Sequence, residues 1–190
     1  MDVEIKTMKD IGTKEIQTER LILRRIVIGD AEKMFTNWTS RPIVSRYTRW
    51  NAHKALADTK EYVNYKIGRY DNVPYCYDWI VALKSTGESI GEIEAIKIFL
   101  MDNAVEVGYC YGDDFWGKGY ATEALKAFIK YMFDNVGVDK IFADHISTNP
   151  ASGKVMQKAG MQFDAVLKDY LIDKNTGKRE DKICYSIDRE

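Results

Sequence analysis

The segment Gly112-Asp113-Asp114-Phe115-Trp116-Gly117-Lys118-Gly119-Tyr120-Ala121 is the part of the sequence best suited to chemistry. It lies between an alternating strand and a strongly amphipathic helix. Glycines at 117 and 119 let the backbone turn sharply and approach a ligand with no Cβ in the way. The unpaired N–H groups opening the next helix would point into that space, where the helix dipole favours an anion. A phosphate suits such a turn. The structural alternative is an ordinary glycine turn that caps a helix.

Two kinds of phosphate ligand compete. Gly112-x-x-x-x-Gly117-Lys118 nearly fits the nucleotide P-loop, and Ile141-Phe142-Ala143-Asp144 imitates the acidic strand that accompanies it. The match fails where the chemistry needs it. Gly119 stands where a Ser or Thr hydroxyl must hold magnesium, and Asp113 and Asp114 would repel phosphate oxygens. A P-loop phosphotransferase is therefore the weaker reading.

The elements that must position this turn follow from periodicity. Leu21 to Ile26 reads as a strand, and Asp30 as the N-cap of a helix carrying Ala31, Met34, Phe35 and Trp38. A second helix runs from Leu56 to Tyr70 with Leu56, Val63, Ile67 and Tyr70 inward. Tyr75, Tyr77, Trp79, Val81 and Leu83 alternate, and a turn at Ser85–Glu88 leads to a strand from Ile90 to Phe99. That strand slips phase, with Ile93 and Ala95 giving way to Ile96 and Ile98, which predicts a bulge. Val105, Val107, Tyr109 and Tyr111 share one face of the next strand, opposite Glu106, Gly108 and Cys110. Ala121, Ala124, Leu125, Phe128, Ile129 and Met132 then mark a helix. Lys140 to Ile146 is a strand, Asn149-Pro150-Ala151-Ser152 opens a short helix ended by Gly160, and a hairpin around Asn175-Thr176-Gly177 closes the chain. The expected class is α+β: about seven strands in a mixed, largely antiparallel twisted sheet, flanked by about four helices.

With 190 residues, 45% hydrophobic, the chain can bury the core of a single domain, and residues 1–15 read as a loose or edge-packed lead-in. Lys plus Arg is 28 against 29 for Asp plus Glu, so no global pull toward nucleic acid or an anionic membrane is expected. No apolar run approaches the roughly 20 residues of a bilayer span. Met1 to Lys6 lacks a signal-peptide layout. Three scattered cysteines and two histidines argue against a disulfide framework or a metal site, so the expectation is a cytoplasmic protein. A homodimer is the assembly to expect first.

Trp116-Gly117-Lys118-Gly119-Tyr120-Ala121 resembles the Q/R-x-x-G-x-G/A pyrophosphate loop of the GNAT acetyltransferase superfamily. Asn149-Pro150-Ala151-Ser152 with Val155, Lys158 and Gly160-Met161 resembles its second acetyl-CoA segment. Thr18-Glu19-Arg20-Leu21-Ile22-Leu23-Arg24 with Asp30-Ala31-Glu32 is similar to the RimJ/RimL-like branch, which includes protein N-terminal acetyltransferases. The resemblance covers residue 16 to the C-terminus. It departs at Trp116, where Gln or Arg is usual, and at Met156, where many members carry a tyrosine acid.

The resemblance implies a sheet splayed between the strands ending near Tyr111 and Ile146, with the pantetheine arm of acetyl-CoA pairing to backbone at Cys110 and Tyr111. The pyrophosphate would rest on the N–H groups of Gly117, Lys118, Gly119, Tyr120, Ala121 and Thr122, with Lys118 and Lys154 or Lys158 near the phosphates. Asn149 would bond the arm; its structural alternative is the helix N-cap. Glu106 matches the family's glutamate base, the alternative being an exposed strand carboxylate. Backbone N–H groups near Val107 or Gly108 would hold the oxyanion, and Ser152 would protonate the leaving thiolate. Tyr47, Arg49 and Trp50, with Glu92, would meet an amine acceptor such as a protein N-terminus. His145, His53 and Cys110 rank lower, as packed, loop and strand residues. The Met156 departure motivates a different class, a non-catalytic acyl-CoA-binding regulator.

Overall fold

The computed structural model describes residues 7–189. Among these residues, eight strands form one sheet in the order β1-β2-β3-β4-β5-β6-β8-β7. These are β1 (Ile16–Gln17), β2 (Leu21–Arg24), β3 (Asp78–Leu83), β4 (Ser89–Phe99), β5 (Ala104–Tyr111), β6 (Lys140–Ile146), β7 (Gln162–Ile172) and β8 (Arg179–Asp188). Every neighbouring pair is antiparallel except β5 and β6. The architecture is the α+β one expected. The additional strand, β1, has only two residues, too few to show alternation in sequence.

Among the described residues five α-helices flank the sheet: α1 (Ala31–Met34), α2 (Pro42–Ser45), α3 (Leu56–Asn72), α4 (Tyr120–Tyr131) and α5 (Pro150–Lys158). The unexpected one is α2, a single turn led by Pro42 inside a stretch that reads as loop. Helix α1 passes directly into a π-helical turn, Phe35–Thr39, and α4 into another, Met132–Val136. Asp30 sits at the head of α1, but its carboxylate does not cap that helix. It takes the Arg24 guanidinium (2.7 Å), the Ser89 hydroxyl (2.7 Å) and the Val27 N–H (2.9 Å).

Two apolar layers cover the two faces. One face packs Leu21, Trp79, Ile93, Val105 and Val107 under α4, the turn that follows it and α5, through Leu125, Phe128, Met132 and Met156. The other packs Ile26, Met34, Trp38, Val63 and Ile80 among α1, α2 and α3. The lead-in residues 7–15 are tied down rather than loose. Met8 is in the core, the Lys9 N–H reaches Val136 O (2.8 Å), and Thr13 is buried against Cys76 O (2.9 Å). Residues 1–6 lie outside the described residues.

Two irregularities shape the site. The expected bulge is present in β4, where the register shifts between Ala95 and Lys97 and sets Lys97 opposite Glu106 on β5. The second is a splay. β5 and β6 pair only at Ala104–Lys140, Val105–Ile141 and Glu106–Phe142; beyond these β5 stays with β4 and β6 with β8. A wedge therefore opens between residues 107–111 and 143–146, with Glu106 at its apex. No helix among the described residues is long and apolar enough to cross a membrane.

Candidate active site

The glycine turn closes the strand side of the wedge. Gly117 (φ 73°) and Gly119 (φ 83°) both take the left-handed conformation that a side chain disfavours, and Gly119 starts α4. The first helical bond runs from Glu123 N–H to Gly119 O (3.0 Å). The N–H groups of residues 119–122 therefore have no acceptor among the described residues, as the geometry of a helix start requires. Residues 117–119 are exposed and 120–122 half-buried, so these donors are open to a ligand.

Side chains brace the turn from behind. Arg20 donates to Lys118 O (3.0 Å) and to Glu123 (2.7 Å), and Glu123 also takes the Thr18 hydroxyl (2.6 Å) and Arg20 N–H (2.8 Å). Asp113 is neutralised by Arg41 at 2.7 Å. Trp116 donates its indole N–H to Tyr111 O (2.8 Å), which uses one of the backbone acceptors expected to face a pantetheine arm. Lys118 is exposed with its ammonium over Phe115, and Lys158 lies exposed in the last turn of α5.

Glu106 at the apex is buried, 6% exposed, rather than an exposed strand carboxylate. Its Oε2 takes the Lys97 ammonium at 2.6 Å, and its Oε1 is buried with no hydrogen-bond partner among the described residues. On β8, Lys182 pairs with Asp144 of β6 at 2.6 Å. Burial works against the Lys182 ammonium, yet Asp144 and, more weakly, Glu106 hold it above its ordinary value. One oxygen of Glu106 is thus fixed by an ion pair and the other is bare among the described residues.

Across the wedge stands the N-terminal end of α5. The Tyr109 hydroxyl lies 2.9 Å from Ser152 Oγ and 3.1 Å from Ser152 O, linking β5 to α5 where β5 and β6 have parted. Asn149 occupies the N-cap position of α5, but its side chain makes no capping bond. His145 is packed: its ring stacks on Tyr185, and its Nδ1 is 2.8 Å from Ile146 O.

The opposite face of β4 and β5 carries a buried polar cluster beneath α3. Lys66, 1% exposed, sits 2.6 Å from Asp78 and 2.9 Å from Glu94, and Arg69 joins both at 3.4 and 3.2 Å. Glu92, 5% exposed, has no ion-pair partner among the described residues; it meets the Tyr62 hydroxyl (3.1 Å) and Cys110 Sγ (3.4 Å). Burial pushes the Glu92 carboxyl and the Cys110 thiol up, the thiol further through Glu92. From Tyr62 an aromatic path leads outward through His53 to Trp50. The β7–β8 hairpin reaches this loop: Lys174 donates to Trp50 O, and Asn175 to Arg46 O (3.2 Å). Tyr47 is half-buried and Arg49 exposed beside them. His53 is not a lone loop residue, since its Nδ1 lies 2.7 Å from the buried Thr59 hydroxyl.

Sequence reasoning missed Tyr109, Lys97 and Lys66. Alternation placed Tyr109 on a core face but could not show its hydroxyl meeting Ser152. The phase slip was visible, and following it one residue further would have set Lys97 against Glu106. Lys66 falls on the inward face of α3 between Val63 and Ile67, a position read as apolar.

A sheet parted beside a buried carboxylate, with a helix start offering free amides, makes a cleft that can hold an anionic ligand next to an acid–base group. The acetyltransferase (GNAT) domain family matches residues 20–162. The chain belongs to the GNAT acetyltransferase family. It is 27% identical over 172 residues, 90% of this chain and 94% of the relative, to "Uncharacterized N-acetyltransferase p20" of Bacillus licheniformis. Over 70 residues, 37% of this chain and 36% of the other, it is 34% identical to the [Ribosomal protein uS5]-alanine N-acetyltransferase of Escherichia coli. The crystal structure of a GNAT-family acetyltransferase from Bacillus anthracis superposes with a TM-score of 0.80 at 27% identity, covering 92% of this chain and 98% of that one. The phosphotransferase alternative falls with this family and with the antiparallel strands that lead into the glycine turn.

Proposed function

We propose that the protein transfers an acetyl group from acetyl-CoA to a primary amine by direct attack. The observation that carries this reading is the wedge itself, with Glu106 at its apex and the free amides of residues 119–122 at its mouth. The cofactor fits the residues present. Unpaired N–H groups at a helix start suit a diphosphate, and a strand edge without a partner suits an amide-bearing arm. The Asn149 amide, unused as a cap, is available to that arm.

In the reaction, Glu106 Oε1 takes a proton from the acceptor ammonium, directly or through water, because a protonated amine has no lone pair. Lys97 holds the other oxygen in place. The amine attacks the thioester carbon, the C–S bond breaks, and backbone N–H groups near Val107 or Gly108 meet the developing oxyanion. Ser152 hydrogen-bonds the departing sulfur. The acceptor enters past Trp50, Tyr47 and Arg49, with Glu92 deeper on the same face. A protein N-terminus is one acceptor class, in line with the uS5-modifying relative, and small-molecule amines are the other.

The test is an assay with acetyl-CoA against a panel of amines and N-terminal peptides, following free thiol. Thiol release that needs both the acceptor and Glu106 supports the proposal. Met156, buried in the core at the position of the family's tyrosine acid, favours one second reading, a non-catalytic acyl-CoA-binding regulator. Tight binding of CoA with no turnover on the whole panel would establish that instead.

A further inference from the structure

Tyr109 has one hydroxyl hydrogen and two acceptors within reach, Ser152 Oγ at 2.9 Å and Ser152 O at 3.1 Å. Two arrangements follow. If Tyr109 donates to the carbonyl, the Ser152 hydrogen turns back to the phenol oxygen. If Tyr109 donates to Oγ, the Ser152 hydrogen is released into the wedge. An anion in the wedge selects the second arrangement, because only that one offers it a donor. Ser152 also lies in the first turn of α5, whose amide end favours negative charge.

We propose that Tyr109 is a positioning residue, whose hydroxyl donates to Ser152 Oγ and so aims the Ser152 hydrogen at the sulfur of the departing coenzyme. This inference rests on the reading of the wedge as the thioester site. It also explains how the chain does without a tyrosine at Met156: the phenol comes from β5 and acts through a serine. Neither hydroxyl surrenders its proton. Burial pushes the Tyr109 phenol upward, and an alcohol is a weaker acid than a thiol, so the pair stabilises a thiolate by hydrogen bonding. Atoms balance simply. The C–S electron pair stays on sulfur, Glu106 keeps the ammonium proton, and the thiolate is protonated from water after release.

The experiment titrates the thiol of CoA bound to the protein by its ultraviolet thiolate absorbance, in wild type, Tyr109→Phe, Ser152→Ala and the double variant. No acceptor is needed. Burial pushes the protein's own thiols at Cys76, Cys110 and Cys184 upward, and the difference spectrum against the CoA-free protein removes what remains of their signal and of the tyrosines'. Other titratable or charged groups around Ser152 are Tyr111 of β5, His145 of β6, Tyr185 of β8 and the exposed Lys154 of α5. His145 packs against the adjoining Gly153, its Nε2 2.5 Å from where a Cβ would lie, so His145→Gln serves as a control.

The expected result is that each single variant raises the bound thiol by about one pH unit, the size of a hydrogen bond to a charged group. The double variant should match Ser152→Ala alone, because Tyr109 acts only through Ser152. Difluorotyrosine at 109, a stronger donor, should move the thiol downward and covers the case of a Tyr109→Phe protein that folds poorly. Equal thiol titration in all variants, additive effects, or a shift seen only in His145→Gln overturns the proposal. If wild type does not bind CoA at all, the acetyl-CoA reading itself fails, which is a separate outcome.

Discussion

Glu106 keeps one carboxylate oxygen in an ion pair and the other buried and bare, an arrangement that is costly unless a ligand completes it. Glu106→Gln preserves the volume and removes the base. Turnover should fall by about 10²- to 10⁴-fold, while calorimetry finds acetyl-CoA binding unchanged. Lys97→Met makes a different prediction. Among the groups facing Glu106, it removes the β4 cation and leaves Lys182 and Asp144 on β8 and β6. The carboxylate then loses the contact that holds it in place, so kcat/KM should fall by about tenfold, and Lys97→Arg should restore it. An unchanged kcat/KM would refute the assignment. At this scale the alternation along β5 made Glu106 legible, but not its burial, because burial depends on how far the sheet opens beyond it.

Elements deliver these side chains by departing from regularity. The β4 bulge sets the register of Lys97, the β5–β6 splay creates the wedge, and the left-handed Gly119 aims the start of α4. The sequence revealed the bulge as a change of phase and the turn as closely spaced glycines. The splay carried no local signal, since it reflects which strands pair rather than which residues compose them; only the family resemblance anticipated it. Gly119→Ala tests the turn. At φ 83° an alanine is strained by about 1–2 kcal/mol, and its Cβ would lie 3.4 Å from the Arg20 guanidinium that braces the loop. The variant should fold, lose about that much stability in urea, and bind CoA several-fold more weakly.

The whole molecule stakes much of its stability on the buried cluster under α3, where periodicity alone would have put only apolar groups. Two cations, Lys66 and Arg69, face three carboxyls, Asp78, Glu92 and Glu94. Lys66→Met leaves buried carboxylates short of their partner and should cost about 3–5 kcal/mol in urea denaturation. Two cations among three carboxyls leave room for one shared proton, and burial raises both Glu92 and Asp78, the latter to about 7. The folded state then binds more protons than the unfolded chain from the ordinary glutamate range up to the raised value. Stability contributed by Glu92 is therefore full at acid pH and falls as pH rises through that window. Asp30 runs the other way. Burial opposes its charge, but Arg24, the Val27 N–H and Ser89 hold it low, so its contribution is present above the usual aspartate range and lost as pH falls through the lowered value. Glu92→Gln, which mimics the protonated form, should flatten the decline toward alkaline pH and leave the acid limb intact. Asp30→Asn should shrink the acid limb, to which the lowered Glu94 and Glu123 also contribute, and leave the alkaline decline intact. Urea midpoints measured from pH 3 to pH 9 separate the two. A Glu92→Gln curve that still declines with rising pH as steeply as wild type would show that the proton resides elsewhere in the cluster.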